Sequence, residues 1–165
     1  MKKIVLIMTI VMMALSSNAQ FTKATLQATG LTCAMCSNAI NKALQKISFI
    51  QSVRSDIKNS AFNIVFKQDA EVDIDAIRRA VEDAGFSVGR FKLTGNFNDV
   101  KIASNKQVQI GNETFHFLNA TDQTLHGEKT LLVVDKGFLT AKEFKKYSAA
   151  IKDGQSAGRI YHVTI

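Results

Sequence analysis

The sequence has few of the residues from which small metal and redox sites are built. It has no proline and no tryptophan, and only two cysteines among its 165 residues. Two cysteines exclude both a framework of several disulfides and a four-cysteine zinc site. The first histidine is His116, so the cysteines have no imidazole near them in sequence. Beyond residue 13 the only methionine is Met35, which excludes a methionine-rich site in the body of the chain.

Catalytic motifs are also missing from the sequence. It contains no nucleophile elbow, no phosphate-binding glycine loop and no carboxylate pair at a persuasive spacing. The formal net charge of +7 is not concentrated in any Lys/Arg cluster. A solvated surface therefore explains the charge better than nucleic-acid binding does. We expect a protein that is not an enzyme and does not bind nucleic acid.

The first 19 residues have the three parts of a signal peptide. A basic pair precedes an apolar run over residues 4–15, and small residues at Ser17 and Ala19 suit a cleavage site. The alternative is a membrane anchor, but the run is shorter than the roughly 20 apolar residues that cross a bilayer. We expect cleavage of residues 1–19, a mature chain of net charge about +5 that does not span the membrane, and a periplasmic or secreted location.

Two domains are predicted in the chain of about 145 residues that remains, over residues 21–94 and 96–165. Thr, Gly, Asn and Asp gather in LTGNFND, residues 93–99, and such a cluster indicates a break. The division rests on this cluster.

The first domain has a pattern of strand, helix, strand, strand, helix, strand. The runs FTKATLQAT, IQSVRSDI, AFNIVFK and FSVGRFKL have the composition and alternation of strands. Apolar residues recur at helical spacing after Cys36 and again after Asp73, a predicted N-cap, and Gly85 is a predicted C-terminal stop. This order is the βαββαβ of a ferredoxin-like sandwich, an α+β fold.

The stretch GLTCAMCSN holds both cysteines, Cys33 and Cys36. Their spacing brings two sulfurs within a few ångströms, and a helix that begins near Cys36 favours thiolates through its dipole and its N–H groups. Soft thiolates select Cu(I) and related ions, and two sulfurs alone suit a two-coordinate Cu(I), Ag(I) or Hg(II). Zn(II) needs further ligands, and the adjacent Thr32 offers only a hydroxyl. Cys33 and Cys36 are therefore the predicted metal ligands.

Residues 24–93 resemble the heavy-metal-associated domain, a family of small ferredoxin-like modules. The resemblance rests on the family's GMTCxxC loop and on its later EDAGY/F segment, which matches residues 82–86. The matching loop residues are Gly30, Thr32, Cys33 and Cys36. Leu31 stands where the family usually has methionine, a mild change of packing. The family occurs in copper chaperones, mercury-scavenging periplasmic proteins and the tails of metal-pumping ATPases.

Three other interpretations of the cysteine loop stay open. A thioredoxin-like oxidoreductase also places CxxC at a helix start, although it relies on a cis-proline that this chain cannot supply. A disulfide between the cysteines would close the loop, but so short a ring adds little stability. Met35 is either a third, thioether ligand or an exposed or packing side chain. An oxidising compartment favours the disulfide, so bound metal or a reducing partner would have to protect the thiols.

The second domain is predicted to be a small, mostly-β unit with one helix, of which an OB-like barrel is one form. The runs DVKIAS, KQVQI, ETFHFLNA, KTLLVVD and RIYHVTI are β-prone. Thr140 and Glu143 form a capping-box pattern, and Leu139 with Phe144 takes the positions of a hydrophobic staple.

All three histidines, His116, His126 and His162, lie in this second domain. The alternation of strand residues allows His116 and His162 to meet across strands. They form either a second metal site or ordinary sheet-surface histidines.

Together these patterns predict an exported Cu(I) chaperone or scavenger. The resemblance implies that it passes its ion to a metal-transporting membrane ATPase or to another thiol-bearing acceptor. A Hg(II) scavenger and a thiol-disulfide exchange protein are the alternatives.

Overall fold

One sheet runs through both halves of the chain in the computed structural model, which describes residues 19–31, 34–103, 106–151 and 158–165. Within these residues the strands are β1 (Ala19–Thr29), β2 (Ile50–Asp56), β3 (Ala61–Phe66), β4 (Ser87–Ile102), β5 (Gln107–Ile110), β6 (Glu113–Phe117), β7 (Gln123–Val133) and β8 (Ile160–Thr164). The helices described are α1 (Ala34–Gln45), α2 (Ile74–Asp83) and α3 (Ala141–Tyr147). The strands lie in the order β2-β3-β1-β4-β7-β8-β6-β5.

The first half has the predicted ferredoxin-like arrangement. Its elements follow the order β1, α1, β2, β3, α2, β4. Its four strands lie in the order β2-β3-β1-β4, and each neighbouring pair is antiparallel. The α+β prediction for residues 21–94 is therefore confirmed in its order of elements.

Local signals fix both ends of α2, as the sequence predicts. The Asp73 carboxylate accepts a hydrogen bond from the Ala76 N–H at 2.8 Å, which caps the first turn. At the other end Gly85 has a φ of +88°. The N–H groups of Gly85 and Phe86 donate to the carbonyls of Glu82 and Val81 at 2.8 and 3.1 Å. This is a Schellman arrangement, which stops the helix and starts β4.

Helices α1 and α2 cover one face of the sheet. The side chains of Ile40 and Leu44 in α1, and of Ile74, Ile77 and Val81 in α2, are fully buried. They share one core with the inward residues of the strands, among them Leu26, Phe62, Ile64, Phe91 and Phe115. This core extends into the second half of the chain, so α2 packs beneath residues of both halves.

The predicted break at residues 93–99 is instead part of β4. The strand pairs with β1 on one side and with β7 on the other, so that Leu93 lies between Ala24 and Leu131. The turn-forming residues produce a bulge between Phe97 and Val100, where Asp99 has a φ of +54°. The division into two domains stays a prediction, but the sheet is continuous across it.

The second half extends this sheet, and the OB-like barrel is not confirmed. Strands β6 and β8 pair in parallel, whereas β5 with β6, β7 with β8 and β4 with β7 are antiparallel. Helix α3 packs on the face opposite α1 and α2, where Phe144 and Leu139 meet in a small second cluster. The Thr140 hydroxyl accepts from the Glu143 N–H at 3.3 Å. The predicted cap and staple are confirmed.

No helix in the described ranges has the length and apolar character needed to cross a membrane.

Candidate metal-binding site

The loop that follows β1 begins with two residues whose roles are structural. Gly30 has a φ of +83°, a left-handed conformation that favours glycine. Leu31 is half-buried against the main core. The Leu31 side chain therefore anchors the start of the loop from the core side. Leucine does this as the family's usual methionine would, and the packing does not need a sulfur atom. Thr32 and Cys33 lie outside the described residues.

The two sequence segments that suggest a metal-binding module meet in space. A Cβ atom placed on Gly30 would lie 3.9 Å from Cδ1 of Phe86. Phe86 is the last residue of the Schellman arrangement at the end of α2, so the end of α2 lies against the start of the loop that precedes α1. The aromatic ring supplies packing here and no ligand atom.

Cys36 lies where the sequence places it, in the first turn of a helix. It is the third residue of α1 and is half-buried. The first turn of α1 contains no acidic residue, so no carboxylate offsets the positive end of the helix dipole. Such a position stabilises a thiolate, which is the form of cysteine that binds metal ions. The prediction for Cys33, immediately before α1, stays a prediction.

Met35 projects into solvent, with 83% of its side chain exposed. Met35 lies between the two cysteines, and its exposure fits a solvent-exposed side chain better than a third metal ligand.

The second half of the chain contacts the same end of the sheet as the cysteine loop. Thr29, just before Gly30, pairs with Ser87. Two residues on, the Gly89 carbonyl accepts a hydrogen bond from the Thr140 N–H at 3.1 Å. Arg90 forms an ion pair with Glu143, which lowers the pKa of that carboxyl. These contacts hold the start of α3 beside the strand ends that carry the loop.

His116 and His162 meet across β6 and β8, as the alternation of strand residues predicts. They are paired in register, and their ring centres are 5.3 Å apart. Burial, and then the charge of His162, lowers the pKa of His116. His126 lies elsewhere: it is exposed, with its Nδ1 3.1 Å from an Asp99 carboxylate oxygen.

Sequence reasoning missed Asp135, the partner of His162. One carboxylate oxygen of Asp135 lies 2.8 Å from Nδ1 of His162, and the other accepts from the His162 N–H at 2.8 Å. The sequence signal that could have identified Asp135 was a lone acidic residue directly after a strongly apolar run. Over the described ranges, no group of three or more His, Cys, Asp or Glu side chains could hold a metal ion.

Comparison with known proteins places a family match on the first half. Residues 25–87 match the model of the heavy-metal-associated domain. The chain is 31% identical over 74 residues to an Arabidopsis thaliana protein named "Probable copper-transporting ATPase HMA5", across 45% of this chain and 7% of that protein. It is 33% identical over 58 residues to a copper-transporting ATPase of Helicobacter pylori, across 35% of this chain and 8% of that protein. The chain thus spans less than a tenth of the length of these curated relatives.

Two solved structures are similar to about two fifths of the chain. A CopZ metallochaperone is 25% identical with a TM-score of 0.38, and the match covers 41% of this chain and 98% of that one. The Cu(I)-loaded N-terminal domain of a potential copper-translocating P-type ATPase from Bacillus subtilis is 25% identical with a TM-score of 0.38, covering 42% and 85%.

Proposed function

Residues 25–87 form a heavy-metal-associated domain, and from this premise we propose that the protein is an exported carrier of a soft metal ion, Cu(I), held between Cys33 and Cys36. One observation carries the proposal: within the matched segment, Cys36 lies in the first turn of α1, where no acidic side chain opposes a thiolate. The matched relatives are by name copper-transporting ATPases, which supports copper as the cargo.

The chemistry of the site follows from two sulfurs at a helix start. Thiolates are soft ligands and prefer Cu(I), Ag(I) or Hg(II) to harder ions. Two ligands leave the ion open to attack, so an incoming thiolate from an acceptor forms a three-coordinate intermediate before one original sulfur leaves. Met35 is exposed to solvent beside Cys36, so this part of the loop is accessible to an acceptor. The domain therefore suits transfer of the ion better than permanent storage.

Export and delivery are further parts of the proposal. The signal-peptide pattern of residues 1–19 supports a periplasmic or secreted location. The acceptor is a metal-transporting membrane ATPase or another thiol-bearing protein, since ligand exchange requires a second set of thiolates. Western blotting of cell fractions for the cleaved and uncleaved chain tests the export step, and retention of the full-length chain in the cytoplasm would oppose it.

An anaerobic titration tests the metal site. The reduced chain is titrated with Cu(I), Zn(II) and Hg(II), each in competition with a chelator of known affinity. We expect one tightly bound Cu(I) per chain, lost in Cys33→Ser and in Cys36→Ser. Met35→Leu is the matched control, because it changes the residue between the cysteines without removing a thiol, and should retain full affinity.

Other results would redirect the proposal. Absence of Cu(I) binding, or its retention in both serine variants, would overturn it. Tight Hg(II) binding with weak Cu(I) binding would indicate a mercury scavenger. Turnover of a dithiol substrate that depends on Cys36 would indicate thiol-disulfide exchange.

A further inference from the structure

The pair His116 and His162 lies on the face of the sheet opposite the main core. His116 alternates with Phe115 and Phe117, which belong to the main core, so the imidazole lies on the other face of the sheet. His162 lies between the core residues Tyr161 and Val163 in the same way. Parallel register then brings the two rings together.

The Asp135 carboxylate fixes the proton of His162. Because an ionised carboxylate only accepts hydrogen bonds, the contact at 2.8 Å assigns the proton of His162 to Nδ1. In the neutral form of this imidazole the lone pair is then on Nε2, the nitrogen left to bind a metal ion. Histidine ligands of metals are commonly oriented in this way, with the second ring nitrogen donating to a carboxylate. Asp135 and His162 are 6% and 8% exposed, so this orientation is maintained inside the protein.

His116 supplies a second nitrogen, and that nitrogen has no hydrogen-bond partner. Its Nε2 is buried, and no described group lies within hydrogen-bonding range of it. A buried polar atom without a partner destabilises the folded chain, so its persistence calls for an explanation. A bound ion would satisfy it.

We propose that His116 and His162 form a second metal site, which takes a divalent ion of the imidazole-binding class, Zn(II) or Cu(II), and is separate from the cysteine loop. Two imidazoles on one ion, with bonds of about 2.0–2.1 Å, have ring centres roughly 5 to 6.5 Å apart when the ligand angle is near tetrahedral or wider. The observed separation of 5.3 Å lies in that range. The two rings are inclined by 58°, so they do not stack flat against each other.

The remaining coordination positions belong to water or to an incoming ligand. The described residues offer no third His, Cys, Asp or Glu that completes a cluster with these two. The site is therefore open, and it binds more weakly than a four-ligand structural zinc site. Imidazoles select borderline divalent ions, whereas the thiolates of the cysteine loop select Cu(I). Imidazoles also survive conditions that oxidise thiols to a disulfide, so this site does not depend on the redox state of the loop.

The test uses the full chain with both cysteines replaced by serine, so that thiolates contribute nothing. Zn(II) and Cu(II) are titrated against a chelator of moderate affinity, and the histidine ring signals are followed by NMR. We expect one ion per chain, with the signals of His116 and His162 shifting together on Zn(II) binding and broadening together on Cu(II) binding. Adding His116→Gln should weaken binding at least tenfold. His126→Gln is the matched control, because that histidine is exposed and lies outside the part of β7 that pairs with β8, and it should bind as before.

Three results would overturn the proposal: no binding of either ion, equal affinity in His116→Gln, or a shift of the His126 signals in place of the other two. His116→Gln is preferred to a change at His162 because the Nε2 of His116 makes no hydrogen bond that the fold would lose. Equal far-UV circular dichroism and thermal midpoints in the metal-free variants establish that the fold is retained. Because the cysteines are absent throughout, failure of this test leaves the Cu(I) proposal untouched.

Discussion

The rings of Phe21 and Phe115 meet edge to face, with their centres 5.4 Å apart. One residue opens the first half of the chain in β1, and the other lies in β6 of the second half. Phe21 also contacts Phe97 in β4, at 6.4 Å. The two halves therefore share one hydrophobic core, and the metal-binding domain is supported by residues beyond its own sequence match.

The shared core predicts that the two halves unfold together. Phe115 is fully buried, and a Phe→Ala change in such a core lowers the free energy of unfolding by about 3–5 kcal/mol. We expect Phe115→Ala to destabilise the whole chain by that amount. Both tyrosines lie in the second half, so their fluorescence reports on that half, while far-UV circular dichroism reports on both.

The two signals should give one coincident transition in the native chain and in Phe115→Ala. Phe115→Leu is the control, since it keeps most of the volume and should lower the free energy of unfolding by less than about 1.5 kcal/mol. Separate transitions from the two probes would show that the halves fold independently.

A tight contact beside the metal loop gives a second prediction. A methyl group on Gly89 would lie 2.7 Å from Cγ2 of Thr29, the residue before Gly30. Such overpacking lowers stability by about 1–3 kcal/mol. We expect Gly89→Ala to lose that much and also to weaken Cu(I) binding, because Thr29 leads into the loop. Denaturant unfolding and the chelator competition measure the two effects.

The clash that Gly89→Ala creates with Thr29 can be relieved by a change at Thr29. Thr29→Ser removes the Cγ2 atom and keeps the hydroxyl, so the double variant with Gly89→Ala should recover most of the stability and affinity. If the second change recovers neither, the clash with Thr29 is not the cause.

The cap of α3 gives a third prediction. The Thr140 hydroxyl accepts from the Glu143 N–H, and loss of such a cap lowers stability by about 1 kcal/mol. We expect Thr140→Ala to show that loss in urea unfolding. Thr140→Ser keeps the hydroxyl, and because serine caps helices at least as well as threonine, this variant should keep the stability of the native chain. If both variants lose the same amount of free energy of unfolding, the loss comes from the Thr140 methyl group and not from the cap.

Glu113 gives a prediction for pH dependence. Burial, and then the neighbouring carboxylates of Asp73 and Asp75, raises the pKa of Glu113 above its ordinary 4.5. The folded chain therefore holds the proton of the Glu113 carboxyl more tightly than the unfolded chain does. The free energy of unfolding falls as the pH rises from the pKa of this carboxyl in the unfolded chain through its higher pKa in the folded chain. We expect Glu113→Gln to raise the free energy of unfolding at pH 7, because the amide removes the unfavourable charge.

Well below pH 4.5 the carboxyl is protonated in both states, so the difference between Glu113→Gln and the native chain should disappear. Urea unfolding at pH 7 and at a pH well below 4.5 measures this difference in the free energy of unfolding. A variant less stable than the native chain at pH 7 would contradict the sign of this effect.

Local signals were enough to predict the first half. The Asp73 cap, the Gly85 stop and the alternation of Phe62, Ile64 and Phe66 each depend on neighbouring residues alone, and each is confirmed. Strand alternation also showed that His116 and His162 could meet, although the parallel pairing of β6 with β8 that brings them into register is long-range.

Long-range pairing explains what could not be predicted. Residues 93–99 have the composition of a break, yet pairing with β7 keeps them in a strand. Gly95 in that segment allows β1 to lie close to β4, because a Cβ atom on this residue would lie 2.8 Å from the Gln20 carbonyl oxygen. The contact between Asp135 and His162 likewise joins residues far apart in sequence. No local pattern contains these partners.

The position of β7 changes what β4 can do in solution. In the order β2-β3-β1-β4 the last strand would present a row of unpaired backbone groups on its outer side, available to another chain. Here β7 occupies that side from Phe91 to Ile102. In the described sheet the end strands are instead β2 and the four-residue β5. A short edge is a poor template for intermolecular pairing. The extension thus leaves β4, the longest of the described strands, without an open edge for pairing with another chain.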